Sequence, residues 1–232
     1  MRNKNNFLGK IIVTFAIILV ILIVISLRNI NRDRPLEMIY ISKSVDQNNE
    51  FWMALTSGAK MASKEYNVNL TVVAPSDEAN YKEQNELISE AIKKKPDAIL
   101  LSPSSYTETK DMAEKIKENG IKLILIDCTI DSDLADSIVS TGNYDAGEKM
   151  GIYMKNLINK ETKIAIVSHV KESSTAIDRE NGLRDTLGDD EDKIVDVVFC
   201  ESKYDKAYNL TKQLIEEHPD INIIAALNEY SS

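Results

Sequence analysis

The sequence predicts an α/β fold made of two similar domains, each with a parallel sheet. Short apolar segments rich in β-forming residues alternate with longer amphipathic segments over most of the 232-residue chain. The strand-like segments are continuously apolar, which is typical of parallel strands that helices cover on both faces. The alternation is interrupted once and then resumes, which indicates a crossing from one domain to the next.

Seven segments have the composition and length of strands. They read MIYIS, VNLTVVA, DAILLS, KLILID, KIAIVS, IVDVVFC and INIIAAL, at 38–42, 68–74, 97–102, 122–127, 163–168, 194–200 and 221–227. Amphipathic helices are predicted between most of them, the first beginning at Glu50. Two of these helices end at expected stop signals, ENG at 118–120 and HPD at 218–220.

The interruption lies in the segment DCTIDSDLADSIVSTGNYDAG, at 127–147. It follows the fourth long strand and contains no full helix, only a loop and the short run SIVST. A new series of strands and helices begins after it. We therefore predict a first α/β lobe over 35–141 and a second α/β lobe over 142–232.

An uncharged apolar run, IIVTFAIILVILIVISL, occupies residues 11–27 near the amino terminus. At about 1.5 Å per residue such a helix spans roughly 25 Å, slightly less than a hydrocarbon core of about 30 Å. A cleaved signal peptide has a similar pattern, but no small-x-small cleavage site follows the run. We expect an uncleaved membrane anchor within 1–34, with a cytoplasmic start, a linker and the body on the extracytoplasmic side.

The charge distribution argues against a nucleic-acid partner. Residues 1–34 carry six basic residues and one acidic residue, so the remainder carries 22 basic and 36 acidic residues, a net charge of −14. A body this acidic does not attract phosphate backbones, which dominate nucleic-acid affinity.

No metal, cofactor or catalytic pattern stands out in the sequence. Cys128 and Cys200 each end a strand-like run and do not form a metal-ligand spacing. His169 and His218 are isolated and are expected at the surface or at helix caps. No nucleophile–base pair and no glycine-rich phosphate loop is recognisable, so we predict a protein that is not an enzyme and has no cofactor.

Polar and aromatic residues follow the strands at the edge where parallel sheets bind ligands. The segment DQNNEFW (46–52) follows the first strand, PSDEAN the second and PSS the third, while Asp127 ends the fourth. In the second lobe the corresponding segments are HVKESSTAIDRENG and ESKYDK, followed by Asn228 and Glu229. This lining suits a small polyol: a carboxylate or amide can bond two vicinal hydroxyls, an Arg supplies a fixed donor fork, and an aromatic face packs on the C–H surface of a ring.

Several of these segments, in this order and spacing, resemble the type I periplasmic sugar-binding proteins, especially the ribose- and galactose-type members. They are QNNEFWMALTSGAK, LID, STGNYDAG, STAIDRENG and ALNE, and the resemblance covers residues 37–232. It implies two Rossmann-like lobes that are joined by hinge strands and close on a sugar. The ligand-binding residues that it implies are Asn49, Phe51, Trp52, Asp127, Arg179, Tyr204 and Asn228.

The sequence departs from this pattern in two ways. Relatives commonly have an Arg directly after the strand-four Asp, whereas this chain has Cys128. This departure favours a different hydroxyl arrangement or a less polar ligand. The family pattern also continues beyond ALNE for several elements, so the resemblance implies a truncated member with an incomplete second lobe.

The leading hypothesis is a membrane-anchored, extracytoplasmic binding protein that delivers a small carbohydrate to an ABC-type permease. The alternative is a sugar-sensing co-receptor that presents its closed form to a membrane histidine kinase. A sugar-responsive transcriptional regulator resembles the same core but has a basic helix-turn-helix domain where this chain has an apolar run. That difference and the acidic body argue against regulation of transcription.

Overall fold

The computed structural model describes residues 14–22, 34–46 and 49–232. The chain divides into two compact units, Met1–Leu36 and Glu37–Ser232. In the first unit residues 14–22 are helical, and the rest of the anchor predicted over 11–27 lies outside the described residues. Within the described ranges no helix is long and apolar enough to cross a bilayer.

The second unit begins with a five-stranded sheet in the order β2–β1–β3–β4–β5. Its strands are β1 Leu36–Ile41, β2 Val68–Val73, β3 Ala98–Leu101, β4 Lys122–Ile126 and β5 Ser137–Val139. The pairs β1–β3, β3–β4 and β4–β5 are parallel. The helices between these strands are α1 Glu50–Glu65, α2 Tyr81–Lys93 and α3 Lys110–Glu118. We refer to these elements as the first lobe.

The core of the first lobe forms where alternate strand residues meet two helices. Ile39, Ile99 and Leu123 lie in register on neighbouring strands and are buried, and they cluster with Ile88 of α2 and Ile116 of α3. Each buried side chain of this size stabilises the folded form by about 1.5–3 kcal/mol. Helix α1 contributes less to burial, since Trp52 is its one buried residue.

The second lobe contains a three-stranded sheet in the order β7–β6–β8. Its strands are β6 Ile164–Ser168, β7 Ile194–Phe199 and β8 Ile223–Ala226, and β6 pairs in parallel with both neighbours. Its helices are α4 Asn143–Lys155, α5 Ser174–Leu187 and α6 Tyr204–Glu217, with 3-10 turns at Gly188–Lys193 and Glu229–Ser231. The central strand β6 is buried along its whole length, which explains its continuous apolar sequence.

Two glycines bring α4 and α5 into backbone contact. A Cβ atom on Gly147 would lie 2.1 Å from the carbonyl oxygen of Arg179, and one on Gly182 would lie 2.1 Å from that of Tyr144. No side chain fits at either distance, so these positions require glycine for close packing. These two residues end the sequence segments STGNYDAG and STAIDRENG. The contact fixes the part of α5 that carries Arg179.

Candidate functional site

Residues from both lobes line one cavity of about 140 Å³ at the carboxyl ends of the strands. The first lobe contributes Lys43, Phe51, Trp52, Glu78 and Asp127. The second lobe contributes His169, Thr175, Arg179, Ser202, Asn228, Glu229 and Tyr230. The position agrees with the rule that parallel sheets bind ligands beyond the carboxyl ends of their strands. Drug-sized ligands need cavities of roughly 300–1,000 Å³, so this one suits a smaller molecule.

Five of the seven residues predicted from the sequence line this cavity. They are Phe51, Trp52, Asp127, Arg179 and Asn228. Asn49 and Tyr204 do not line the cavity but contact Tyr230, which does. Asn49 accepts a hydrogen bond from the Tyr230 hydroxyl, and 5.0 Å separates the ring centroids of Tyr204 and Tyr230. That these seven residues contact a ligand stays a prediction.

The two adjacent aromatics at the start of α1 have different environments. Trp52 is 3% exposed, and its indole N–H donates to Oε1 of Glu78 at 2.7 Å. Phe51 is 42% exposed and packs its ring edge-on against Trp52, with 4.9 Å between ring centroids. Trp52 is therefore held rigidly, which suits an apolar wall of a binding site.

Asn49 is the N-cap of α1, and both its amide oxygen and its amide nitrogen bond to protein groups. Its Oδ1 accepts from the backbone N–H of Trp52 at 3.1 Å and from the Tyr230 hydroxyl at 2.5 Å. Its Nδ2 donates to Glu78 at 3.0 Å. A helix cap needs only the bond from the Trp52 N–H. The bond from Tyr230 joins the two lobes.

Glu78, in the loop after β2, collects hydrogen bonds from both lobes. Oε1 accepts from Asn49 and Trp52, and Oε2 accepts from the hydroxyl of Ser202 at 3.1 Å. Burial raises the pKa of Glu78 above its usual range, although Lys43 and these donors pull it down. Next to it, Asp77 forms a 2.5 Å ion pair with Lys203 of the second lobe.

Arg179 is positioned by two acceptors within the second lobe. Its Nε donates to Oδ1 of Asn143 at 2.9 Å, and its Nη1 donates to the carbonyl oxygen of Leu227 at 2.7 Å. A guanidinium has five N–H donors in a rigid fork. The remaining donors are therefore held in a fixed direction beside the cavity that Arg179 lines.

A buried polar cluster lies at the boundary between the lobes. The ammonium of Lys43 donates to the hydroxyl of Ser173 at 2.7 Å, and Ser173 lies 2.9 Å from the hydroxyl of Thr175. Nε2 of His169 lies 2.8 Å from the same Thr175 hydroxyl. The thiol of Cys128 donates to Asp127 at 3.1 Å. Burial raises the pKa of Cys128, so its side chain stays a thiol.

His169 differs from the expectation of a surface or cap residue. It is 5% exposed and lines the cavity. Burial, together with the charges of Lys43 and Arg179, lowers the pKa of His169 to about 3, so the ring is neutral at physiological pH. His218, in contrast, is the C-cap of α6.

Sequence reasoning missed several residues of the cavity. Four residues that line the cavity were not predicted as site residues: Lys43, Glu78, Ser202 and Tyr230. The available signal was position, since Lys43 follows the apolar strand β1 by two residues and Glu78 follows β2 by five. In the described part of the chain no three His, Cys, Asp or Glu side chains are grouped as metal ligands.

A family model described as a periplasmic binding protein domain matches residues 39–231. The chain belongs to this family. Its predicted resemblance to type I periplasmic sugar-binding proteins is therefore confirmed, as are the α/β fold and the parallel sheets.

Solved structures of other family members agree with this assignment. A structure described as a sugar transporter from Clostridium phytofermentans is 48% identical, with a TM-score of 0.81, over 84% of this chain and 72% of that one. A solute-binding protein of an ABC transporter from Agrobacterium vitis, with bound D-fucose, is 28% identical, with a TM-score of 0.75, over 84% of this chain and 68% of that one.

A curated relative is more distant. The D-ribose/D-allose-binding protein of Pseudomonas aeruginosa is 22% identical over 189 residues, which is 78% of this chain and 59% of that protein. This periplasmic binding protein thus spans less than two thirds of the length of that relative.

Proposed function

We propose that this protein binds a small carbohydrate in the cavity between its lobes and delivers it to an ABC-type permease. The observation that carries the proposal is the set of side chains at the cavity. Asp127 and Asn228 offer hydroxyl-bonding groups, Arg179 offers fixed donors, and Trp52 offers a rigid aromatic wall. The relatives named as sugar-binding proteins support the same class of ligand.

Binding is coupled to closure of the two lobes. A ligand favours the closed form only if it contacts both lobes, because a shift in conformation needs differential affinity. Asp127 and Trp52 belong to the first lobe, and Arg179 and Asn228 belong to the second. A sugar that fills the cavity can therefore contact both. No bond needs to be made or broken in the ligand, so the protein acts without catalysis.

We also propose that residues 11–27 form an uncleaved membrane anchor that holds the body on the extracytoplasmic side. The uncharged apolar run supports this proposal. Extraction of membranes at alkaline pH tests it. The full chain should stay with the membrane pellet, whereas release of a shortened chain would indicate signal-peptide cleavage.

A second candidate is a sugar sensor whose closed form is read by a membrane histidine kinase. The apolar run favours it, because an anchored binding protein stays beside a membrane partner. Sugar uptake and sugar-induced kinase activation, each measured in cells with and without this chain, separate the two roles. Unchanged uptake after deletion would contradict the transport role.

The first experiment is a thermal melt of the full chain in mild detergent against pentoses, hexoses and polyols. A ligand present at 100 times its dissociation constant stabilises the folded form by about 2.7 kcal/mol, which is readily measured. A shift with one sugar is the expected result. A cooperative melt that no carbohydrate shifts would contradict the proposed function.

A further inference from the structure

Two loops, one from each lobe, meet beside the cavity. In the first lobe the loop after β2 carries Asp77 and Glu78, and in the second lobe the turn between β7 and α6 carries Ser202 and Lys203. The ammonium of Lys203 forms a 2.5 Å ion pair with Asp77, and the hydroxyl of Ser202 donates to Glu78 at 3.1 Å. Neither Asp77 nor Lys203 is among the described residues that line the cavity, so this ion pair is separate from the ligand contacts.

The turn that carries Ser202 and Lys203 has an unfavourable backbone conformation. The N–H of Lys203 donates to the carbonyl oxygen of Cys200 at 3.0 Å, which closes a four-residue turn. The two central residues, Glu201 and Ser202, have φ angles of 53° and 57°. Positive φ at both central residues is the combination found in type I′ turns, which Gly, Asn and Asp dominate because most side chains crowd the backbone there. Neither Glu nor Ser is a residue that such a turn favours.

Lys203 is also an unfavourable residue at its position in the second lobe. It is the N-cap of α6, and its side chain makes no capping hydrogen bond. N-caps are normally Ser, Thr, Asp, Asn or Gly, and a cation there lies at the positive end of the helix dipole. The carboxylate of Asp77 brings the missing negative charge to this helix end from the first lobe.

The first lobe holds Asp77 in place for this contact. Its Oδ1 accepts the N–H of Ala79 at 3.1 Å, while its Oδ2 pairs with Lys203. A competing acid of the second lobe, Glu201, lies 3.8 Å from Lys203 and pairs at 2.8 Å with Lys206 instead. The shorter ion pair of Lys203 is therefore the one that joins the lobes.

Strained or locally unfavourable residues persist where the surrounding structure requires them, and they cluster at clamps and switch regions. Here the two unfavourable features of the second lobe each direct a side chain to the first lobe. We infer that Asp77 and Glu78 form, with the turn at 201–203, a latch that holds the two lobes together independently of any ligand.

The latch gives ionic strength control over closure. The ion pair between Asp77 and Lys203 is partly exposed, with 31% and 52% of the side chains accessible, so dissolved salt screens it. The apparent affinity for a ligand that needs the closed form scales with the fraction of closed molecules. Salt should therefore change affinity without touching the ligand contacts. Closure itself can be measured without ligand, so the inference does not depend on the proposed function.

The test measures the distance between spin labels on the two lobes by pulsed electron paramagnetic resonance. The full chain in mild detergent is labelled at Lys82→Cys in α2 and Asn209→Cys in α6, because both positions are exposed whereas Cys128 and Cys200 are buried. Spectra are compared at about 0.01 M and about 1 M salt, where the Debye length is about 30 Å and about 3 Å. The ratio of the short-distance, closed population to the open population should fall by about twofold to fivefold at high salt.

Lys203→Asp distinguishes the latch from a local structural role. A carboxylate is a favoured N-cap, so the substitution should stabilise α6, but its repulsion from Asp77 should lower the ratio of closed to open molecules by about fivefold. Addition of Asp77→Lys restores an ion pair of reversed polarity and should return the ratio towards that of the wild type. Lys212→Gln is the matched control, because it removes a cation of the same helix whose partner is Glu216, and it should leave the ratio unchanged.

The outcomes separate the latch from the proposed function. A ratio that neither salt nor Lys203→Asp changes would overturn the latch, even if a sugar shifts the thermal melt. A loss of closure in Lys203→Asp that Asp77→Lys does not reverse would overturn the pairing of these two residues. A latch that responds as expected stands even if no sugar binds. Should melts show that Lys203→Asp does not fold, Lys203→Gln takes its place and should lower the ratio by about twofold.

Discussion

The hydroxyl of Tyr230 donates to Oδ1 of Asn49 at 2.5 Å, and these residues lie 181 positions apart in the sequence. Tyr230 belongs to the 3-10 turn after β8, while Asn49 caps α1 in the first lobe. The bond therefore links the turn after β8 to the amide that also donates to Glu78. It makes Asn49 part of the contact between the lobes as well as a helix cap.

Tyr230→Phe should weaken sugar binding by several-fold, because it removes one bond between the lobes and leaves the aromatic ring in place. A hydrogen bond of this kind contributes about 0.5–1.5 kcal/mol. Titration with the sugar identified in the melts measures the change. Tyr208→Phe is the control, since Tyr208 is 71% exposed. Equal affinities of Tyr230→Phe and the wild type would mean that the bond does not contribute to closure.

Trp52→Ala should weaken sugar binding by at least an order of magnitude while the far-ultraviolet circular dichroism stays unchanged at low temperature. The buried ring forms a wall of the cavity, and its removal should also lower the free energy of unfolding by about 3–5 kcal/mol. Trp52→Phe separates the two roles of the side chain, because it keeps an aromatic face and removes the donor to Glu78. Unchanged affinity of a folded Trp52→Ala would exclude contact between this ring and the ligand.

Strand order and the rule for parallel sheets were sufficient to predict which loops meet at the site. Trp52 lies in a segment that follows an apolar strand and Asp127 ends another, the resemblance singled both out as site residues, and both line the cavity. The sequence did not indicate which of the two rings, Phe51 or Trp52, is buried, because this depends on which ring reaches Glu78. Glu78 lies 26 positions from Trp52, and its place after β2 does not indicate which ring it contacts.

Buried polar residues were harder to predict than aromatic ones. A Lys after a strand is normally solvated, and the hydroxyl that accepts from buried Lys43 belongs to Ser173, 130 positions away. His169 is buried within the second lobe instead, where its Nε2 lies 2.8 Å from the hydroxyl of Thr175 in α5. The burial of Lys43 therefore becomes understandable when the two lobes are seen together, and that of His169 when β6 and α5 are.

Gly182→Ala should destabilise the protein and weaken sugar binding together. Its Cβ would collide with the carbonyl oxygen of Tyr144, so α4 and α5 must separate and displace Arg179. Overpacking of this kind costs about 1–3 kcal/mol or more. Thermal melts with and without sugar measure both effects.

Gly58→Ala is the matched control, because nothing lies within 4 Å of its Cβ position in α1. This substitution should stabilise the helix by about 0.5–1 kcal/mol. If both variants melt at the same temperature, Gly182 is not needed for close packing of α4 on α5.

Glu78→Gln should change how stability depends on pH. Burial raises the pKa of Glu78 above its ordinary value of 4.5, so its contribution favours the folded form below that value and is lost as the pH rises through the raised pKa. The wild type should therefore lose stability relative to Glu78→Gln as the pH rises from 4.5 through the raised pKa, as melts at a series of pH values measure. Asp77→Asn provides a control of opposite sign. Burial opposes ionisation of Asp77, but Lys203, the Ala79 N–H and Lys206 together outweigh it and lower the pKa below 3.8. The stability that Asp77 adds is therefore present above that value and is lost on acidification. A difference between Glu78→Gln and the wild type that is constant with pH would mean that the carboxylate is not desolvated between the lobes.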